Sequence, residues 1–482
     1  MAVYSSFAGG RQRASSVAIV SDPNNAYVNM EPHWELLEAI NLGTFGIRKK
    51  HRKYLPQEPR ELDESYDARL MRSTLPPYFS RLERLLAGML TRKPIRLQDV
   101  SDTVTEQLFD VDLLGNNLDV FLYEAARKMI RYGHVGVLVD APAAGENGRP
   151  YWSIYSPPDV LGWRSEIIDG QQKLTQLRLF EKVVQPEGDY GEKLVEQVRV
   201  LTPGAFEIHQ KDKKGDYRVV EEGTTSLDVI PFAVAYSNRT GILESRPPLA
   251  DIAELNLKAY QVQSDLDNQL HISAVPMLAV YGFPQSAEEI SAGPGEAMAL
   301  PQDAKAEYIE PQGRSFDAQF RRLDQIASQI NELGLAAILG QKLSAETAAS
   351  KRIDRSQGDS TMQVVAQQMQ DLIDNCLQFH ADYLQIPEAG SSFVNRDFMA
   401  ARLEPDEIQA LLQLYTAGTI TQSTLLEQLE AGEVLGDDFD VEEELEGTQN
   451  GGMIEMDQPE PEARETMPQE SAEPDDQDEM PE

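Results

Sequence analysis

The sequence predicts an α+β fold that is mainly helical, and three observations support this prediction. Before residue 134 and after residue 248, apolar residues recur every three or four positions, which is typical of amphipathic helices. Between those limits, short apolar or alternating runs are separated by Gly and Pro, which is typical of strands and turns. Residues 437–482 are acidic and poor in apolar side chains, which predicts a disordered tail.

The first two blocks differ in their period. We predict helices from Pro32 to about Arg96, with the clearest stripes in "HWELLEAINLGTF" and "YFSRLERLLAGML", and again from Leu118 to Tyr132. The block 134–248 predicts strands in "HVGVLVDA", "PYWSIYS", "LTQLRLFEKVV" and "KLVEQVRVL", a hairpin that turns at Gly215, and a last strand in "DVIPFAVAYSN".

Long helices dominate the third block. We predict one from Leu249 to Ile272 and another from Phe316 to Leu335, with "PMLAVYG" and "AKAEYIEP" as short strands between them. Their apolar stripes are predicted to be Ile252, Leu255, Leu266 and Leu270 in the first and Phe320, Leu323, Ile326, Ile330 and Leu333 in the second. A helix from about Thr361 to Leu384 and two shorter ones follow, "DEIQALLQLYTAG" and "TQSTLLEQLEAGEV", the last capped by Thr421 or Ser423.

Charge and composition limit the possible functions. The formal net charge is −37, and residues 437–482 hold 19 acidic residues against one basic residue. That tail is either a docking segment for a basic partner or a solubilising appendage. The single cysteine, Cys376, excludes a disulfide within the chain and fits a reducing compartment. Because the apolar run "LGLAAIL" is too short to cross a bilayer, we expect a soluble protein without a membrane partner.

The sequence contains no recognisable catalytic, cofactor or metal motif. Its six histidines are scattered, and it has no CxxC, HExxH, GxxxxGK[ST], GxGxxG or GxSxG pattern. Asp63, Glu64 and Asp67 have the chemistry of a cation site, but acids at the start of a helix are more commonly solvated. We therefore expect a protein that is not an enzyme and that holds no cofactor or metal.

The segment Leu339–Ser360, "LGQKLSAETAASKRIDRSQGDS", places small and charged residues between two strong helical patterns. No bulky apolar side chain occurs from Ser344 to Arg352. One explanation is a helix N-terminus that is capped at Ser344 or Thr347 and has Glu346 in its first turn. A second explanation comes from a family resemblance.

Several phrases, in order along the chain, resemble the portal proteins of tailed bacteriophages, which form the ring between head and tail. They are "YLPQEPRELDESYDARLMRS", "RLERLLAGMLTRKPIRL", "IPFAVAYSNRTG", "PPLADIAELNLKAYQVQSDLDNQLHISAVPMLAVYG", "SAETAASKRID" and "AGTITQSTLLEQLEAGEVL". The resemblance covers roughly Tyr27 to Leu435. It implies the phage portal fold of wing, stem, clip and crown, which assembles as a ring.

The resemblance assigns each block a place in that ring. Residues 1–30 would be an N-terminal arm, 31–133 the helical wing and 134–248 the β-rich wing. Residues 249–273 and 314–338 would be paired stem helices on either side of the clip, 274–313. Residues 339–360 would be the tunnel loop and the start of a long helix that kinks at Gly358. Crown helices, 361–436, and the acidic tail, 437–482, would complete the chain.

The resemblance also supplies the candidate site residues. The DNA-channel residues of the tunnel loop would be Gln341, Lys342, Ser344, Thr347, Lys351 and Arg352. Small side chains fit there because many loops converge on one axis. The residues of the clip that dock partners would be Met277, Val280, Tyr281 and Tyr308. An acidic chain with few bases near the loop would let double-stranded DNA slide, because tight binding needs many neutralised phosphates.

The implied function is a dodecameric ring at one capsid vertex of the virion, assembled in the host cytoplasm, through which double-stranded DNA is packaged and ejected. Its partners would be other copies of the chain, DNA held transiently and non-specifically, the large terminase subunit, a head–tail adaptor, and the major capsid and scaffolding proteins. Two alternatives stay open: another phage structural or scaffolding protein without a DNA channel, and an enzyme with an unrecognised site.

Overall fold

The computed structural model describes residues 19–142, 148–274, 277–281, 305–309, 314–339, 348–396, 398, 405–431, 434–435 and 445. The chain divides into a large unit, Met1–Phe398, and a small unit, Met399–Glu482. The predictions for the N-terminal arm before residue 19 and for nearly all of the acidic tail lie outside the described residues.

The fold is a mixture of helices and antiparallel sheets, as predicted. The helices are α1 (Asn25–Asn41), α2 (Gly43–Lys49), α3 (Asp63–Arg72), α4 (Tyr78–Leu90), α5 (Asp102–Gln107), α6 (Leu118–Tyr132), α7 (Ala250–Ser273), α8 (Arg314–Leu339), α9 (Ala348–Leu384), α10 (Pro405–Thr416) and α11 (Gln422–Ala431). The strands are β1 (Arg96–Gln98), β2 (His134–Asp140), β3 (Tyr151–Tyr155), β4 (Val160–Ile168), β5 (Gln171–Glu187), β6 (Gly191–Thr202), β7 (Ala205–Lys211), β8 (Tyr217–Thr224), β9 (Phe232–Tyr236), β10 (Arg239–Gly241), β11 (Glu244–Ser245), β12 (Met277–Tyr281), β13 (Lys305–Ile309) and β14 (Ser391–Phe393).

The first helix begins earlier than predicted. The side-chain oxygen of Asn24 accepts a hydrogen bond from the Tyr27 N–H, 2.8 Å away, and this cap starts α1 at Asn25. Pro32, the predicted start of the helical region, lies inside the helix instead. The cap therefore decides the boundary.

Helix α6 has the predicted bounds because both of its ends are specified locally. The Asn117 side chain accepts from the Val120 N–H at 3.0 Å. Gly133 adopts a left-handed conformation, φ 93°, and donates its N–H to the Met129 carbonyl at 2.8 Å. A Cβ at position 133 would also lie 2.4 Å from the Ser245 hydroxyl, so glycine is required there by both conformation and space.

Two larger antiparallel sheets and the short two-stranded sheet of β10 and β11 form the β block. A three-stranded sheet has the order β3–β2–β9, and α9 packs on β2 and β9, so this sheet lies within the main core. The other sheet has the order β4–β5–β6–β7–β8 and includes the predicted hairpin of β7 and β8. Strand β4 was not predicted, because Gly162 interrupts its pattern. A Cβ at Gly162 would lie 2.4 Å from the Arg178 guanidinium.

The predicted long helices are confirmed, but their stripes and one boundary need correction. In α7 and α8, Leu270, Phe320 and Leu333 are 38%, 48% and 45% exposed, whereas the prediction placed them on buried faces. Helix α9 begins at Ala348 and not near Thr361, the start that its apolar pattern predicted, and Gly358 lies inside it as the resemblance implies.

The small unit contains α10 and α11, the two short helices that the sequence predicts. The hydroxyl oxygen of Thr421 accepts from the Thr424 N–H at 3.2 Å. Thr421, and not Ser423, therefore caps α11.

Candidate assembly interface

Helix α7 is attached to α4 near its first turns. The Asn256 side chain is fully buried; its oxygen accepts from the Phe79 N–H at 3.0 Å and its amide donates to the Pro76 carbonyl at 2.9 Å. These two bonds satisfy backbone groups at the start of α4, which a helix leaves without partners of its own. One side chain therefore fixes the position of α7 against α4.

The C-terminal part of helix α8 packs against the same helix α4. A Cβ at Gly334 would lie 3.1 Å from Leu82 Cδ2, so the two helices approach closely at that point. The length of α7 from Asn256 to its end at Ser273, and that of α8 from Gly334 back to Arg314, is about 25–30 Å at a rise of 1.5 Å per residue. Strands β12 and β13, which follow α7 and precede α8, therefore stand about 25–30 Å along these helices from α4.

Strands β12 and β13 pair with each other in antiparallel register, from Met277 opposite Ile309 to Tyr281 opposite Lys305. Within the described residues, neither strand pairs with any other strand. A two-stranded sheet is marginally stable by itself, and both of its outer edges present backbone groups that lack a strand partner. This sheet is therefore suited to completion by another chain.

Apolar side chains are exposed around this end of the two helices. Leu270 and Ile272, in the last turns of α7, are 38% and 62% exposed, and Phe320, in the second turn of α8, is 48% exposed. Tyr281 at the end of β12 is 51% exposed. Exposed large apolar residues near open strand edges are of the kind that contacts between subunits commonly cover.

A buried polar network holds the middle of α7 against the N-terminal helices. Arg69 is 4% exposed and donates to both Glu61 oxygens at 2.8 and 2.7 Å, to the Pro56 carbonyl at 2.8 Å and to the Ser264 hydroxyl at 3.3 Å. These hydrogen bonds lower the pKa of Glu61 and raise the pKa of Arg69. Burial raises the pKa of Asp265, although the nearby Arg69 charge opposes that shift.

The structure places the predicted clip residues in one sheet. Met277, Val280 and Tyr281 lie in β12, and Tyr308 lies in β13 opposite Leu278. Only Tyr281 has a described side chain. As partner-docking residues, these four stay a prediction.

The predicted channel residues fall mostly outside the described part of the chain. Gln341, Lys342, Ser344 and Thr347 lie outside the described residues, and Lys351 and Arg352 belong to the first turns of α9, with side chains that are also outside it. Their role in a channel stays a prediction.

Sequence reasoning missed the polar residues that attach α7. Ile252, Asn256, Tyr260 and Ser264 follow each other at intervals of four and are all buried. Asn256 and Ser264 thus lie on the same helical face as two apolar residues, which is the signal that could have identified them. The prediction assigned the Asn residues of α7 to its polar faces, and for that reason it missed this signal.

Features of other functional classes are not seen in the described residues. Those residues contain no group of three or more His, Cys, Asp or Glu side chains placed to bind a metal ion, and no helix among them is long and apolar enough to span a membrane. Asp63, one of the three acids considered above, pairs with Arg52 at 2.7 Å. Burial lowers the pKa of His134 to about 3 and that of His380 to about 4, so both buried imidazoles are neutral at pH 7.

Comparison with known proteins gives one family match and several similar structures. Residues 248–384, from the start of α7 to the end of α9, match a family described as a domain of unknown function (DUF4055). No curated protein matches the chain. A chain of the virion of a native gene transfer agent particle is 12% identical, with a TM-score of 0.43 over 74% of this chain and 90% of that chain. A chain of the neck of the native particle, computed with C12 symmetry, is also 12% identical, with a TM-score of 0.40 over 77% of this chain and 93% of that chain.

Proposed function

We propose that this chain is a subunit of a ring-shaped head–tail connector of the portal type in a phage-like particle. The observation that carries the proposal is the arrangement α7–β12–β13–α8, in which two helices attached at α4 hold a two-stranded sheet with open edges at their far end. Strands from neighbouring copies complete such a sheet by edge pairing. When each copy pairs head-to-tail with the next and the rotation closes, the product is a ring.

The exposed side chains of this region support assembly from copies of the same chain. Leu270, Ile272 and Phe320 would lie against the helices of the adjacent subunit, and burying the exposed part of each one stabilises the contact by about 0.5–2 kcal/mol. The sequence resemblance over Tyr27–Leu435 assigns the same segments to the stem and clip of a portal ring.

The finer features of the proposal follow from that resemblance. The ring is a dodecamer at one capsid vertex, it forms the channel for packaging and ejecting double-stranded DNA, and its clip docks the terminase and the tail adaptor. Lys351 and Arg352 contact DNA transiently, and the net charge of −37 keeps the duplex from adhering. The chain performs no catalysis and needs no cofactor.

Negative-stain microscopy of the purified protein, viewed end-on, tests the proposal through two proline variants. Successive N–H groups of a strand point to opposite edges, so Leu278→Pro and Ala279→Pro affect opposite edges of β12. One of the two variants removes a backbone N–H that points away from β13. That variant is expected to lose closed rings while the subunit stays folded. Ala279→Ser and Leu278→Val serve as controls that keep the N–H groups.

Closed rings with a central hole in the wild type, lost in one proline variant, would support a ring completed at β12. A wild-type protein that stays monomeric in native mass spectrometry, or forms open aggregates only, would contradict the proposal and favour a structural protein without a channel.

A further inference from the structure

The hairpin of β5 and β6 extends beyond the rest of its sheet. Strand β4 pairs with β5 only as far as Leu179, and β7 pairs with β6 only from Gln197 onward. Pairing between β5 and β6 continues to Glu187 opposite Gly191. Residues 181–196 therefore form a two-stranded projection, here called the arm, in which all residues are exposed except the half-buried Glu181 and Val195.

The arm presents apolar side chains to solvent on a scaffold that is marginal without support. Val184 and Leu194 face each other across the strands and are 55% and 57% exposed, and Tyr190 at the tip is completely exposed. Pro186 lacks an N–H and so blocks strand addition at the β5 edge near the tip. The exposed side chains of the arm tip are therefore available to a partner.

A cleft of about 600 Å³ lies on the large unit between α1, α2, α6 and the turn before β4. Its lining includes Tyr27, Trp34, Leu42, Lys49 and Lys128. Trp34 is 3% exposed, and within the described part of the chain its indole N–H has no hydrogen-bond partner. A buried indole N–H normally has an acceptor, which Trp34 lacks within the described residues.

The rim of the cleft complements the arm in both charge and apolarity. The segment 48–53, "RKKHRK", holds five basic residues beside the cleft; Glu35 pairs with Lys50 at 2.9 Å and with Lys53, and Asp63 pairs with Arg52 at 2.7 Å, so this segment keeps a positive charge. The cleft lining itself holds as many acids as bases, with Glu31, Glu35, Glu38 and Asp159 against Lys49, Lys50, Lys128 and Arg131. Phe45, 73% exposed, precedes Lys49 by four residues and shares its helical face. The arm tip carries Glu187, Asp189 and Glu192 beside its apolar residues.

We propose that the arm of one copy docks into this cleft on a second copy. Tyr190 enters the cleft beside Trp34, where its ring packs on the apolar part of the lining, and the acidic tip faces Lys49. Complementary charge and matched apolar residues, both supplied by the same chain, identify the partner as another copy. This head-to-tail contact rests on the proposed ring, which it joins at a place separate from β12 and β13.

Disulfide cross-linking in the full-length protein tests the contact directly. The native Cys376 is fully buried, so it does not compete with introduced thiols. A variant with Tyr190→Cys and Lys49→Cys is expected to give a ladder of linked subunits on a non-reducing gel. The matched control combines Tyr190→Cys with Lys213→Cys, an exposed lysine in the turn after β7, and is expected to show only background linkage.

Charge exchange gives a second readout on surface positions that do not disturb folding. Lys49→Glu is expected to weaken association in sedimentation velocity, and adding Asp189→Lys is expected to restore it. Rings that form while both cysteine pairs link equally would overturn the arm contact and leave the proposed function standing. Absence of rings in the wild type would overturn the proposed function instead.

Discussion

The indole N–H of Trp152 donates a hydrogen bond to Nδ1 of His380, 3.2 Å away, and so ties β3 to α9 inside the main core. Because Nδ1 accepts, the ring proton is on Nε2, which donates to the Gln107 side-chain oxygen at 2.8 Å. The neutral imidazole thus connects β3, α5 and α9, and a second proton would disrupt the bond to Trp152.

This geometry predicts a loss of stability in mild acid. Burial, with a smaller effect of Arg149, lowers the pKa of His380 from 6.5 to about 4, so protons bind the unfolded chain first as the pH falls below 6.5. The free energy of unfolding is expected to fall by about 2 kcal/mol between pH 7.5 and pH 5 through this residue, with no contribution above pH 7. Urea unfolding at both pH values measures the change.

His380→Gln supplies the control for that measurement, since glutamine does not titrate. Its stability is expected to depend less on pH than that of the wild type, with the dependence that remains including His134, whose pKa is lowered to about 3. An equal pH dependence in wild type and variant would refute the assignment.

The buried amide of Asn256 predicts a strong effect of a single substitution on α7. Asn256→Ala leaves the Phe79 N–H and the Pro76 carbonyl buried without partners and is expected to lower the free energy of unfolding by about 2–4 kcal/mol. Asn268→Ala, on the same helix but half-buried and bonded at an exposed position to Arg72 at 2.9 Å, is the matched control and is expected to cost less than about 1 kcal/mol. Chemical denaturation followed by circular dichroism compares them.

The carboxylate of Glu83 predicts a second large effect. Glu83 is fully buried on α4 and accepts from Arg131 at 2.8 and 2.9 Å and from Arg127 at 3.1 Å. Burial by itself lowers the pKa of Arg131, but its contacts with Glu83 raise that pKa above the usual value, so the guanidinium stays charged. Glu83→Gln removes the countercharge and is expected to cost about 3–5 kcal/mol of stability.

Glu124→Gln is the comparison for Glu83, because Glu124 also pairs with Arg127, at 2.9 Å, but its side chain is 46% exposed. Solvent screens this pair, so the loss is expected to stay below about 1 kcal/mol in thermal unfolding. Similar losses in the two variants would show that the buried pair has no special weight.

Local sequence patterns predicted a large share of the fold. Helix α6 was predicted with its observed bounds, because the Asn117 cap and Gly133 lie at its ends. The strands β12 and β13 and the helices α7 and α8 also followed from period and turn residues, although α8 runs from Arg314 to Leu339 and not from Phe316 to Leu335. Strand β4 was missed because its pairing with β5 compensates for a weak local pattern, a compensation visible only across strands.

The candidate interface was only partly predictable. The sequence identified β12, β13 and their two flanking helices. It put Phe320 and Leu333 on the apolar stripe of α8, but the structure exposes both side chains. A periodic stripe shows that a helix has an apolar face, but not whether that face meets its own chain or another one. The arm of residues 181–196 had no signal of its own, because its strands alternate like any others in the sheet.

By itself, the sequence determined the long helices, several strands and the acidic balance, because each depends on neighbours a few positions away. Only the tertiary structure decided that Asn256 and Glu83 are buried and that β12 and β13 stand apart from the main core. Those properties depend on partners far along the chain, such as Phe79 for Asn256 and Arg131 for Glu83. A buried polar group is stable only where folding brings its partner to it.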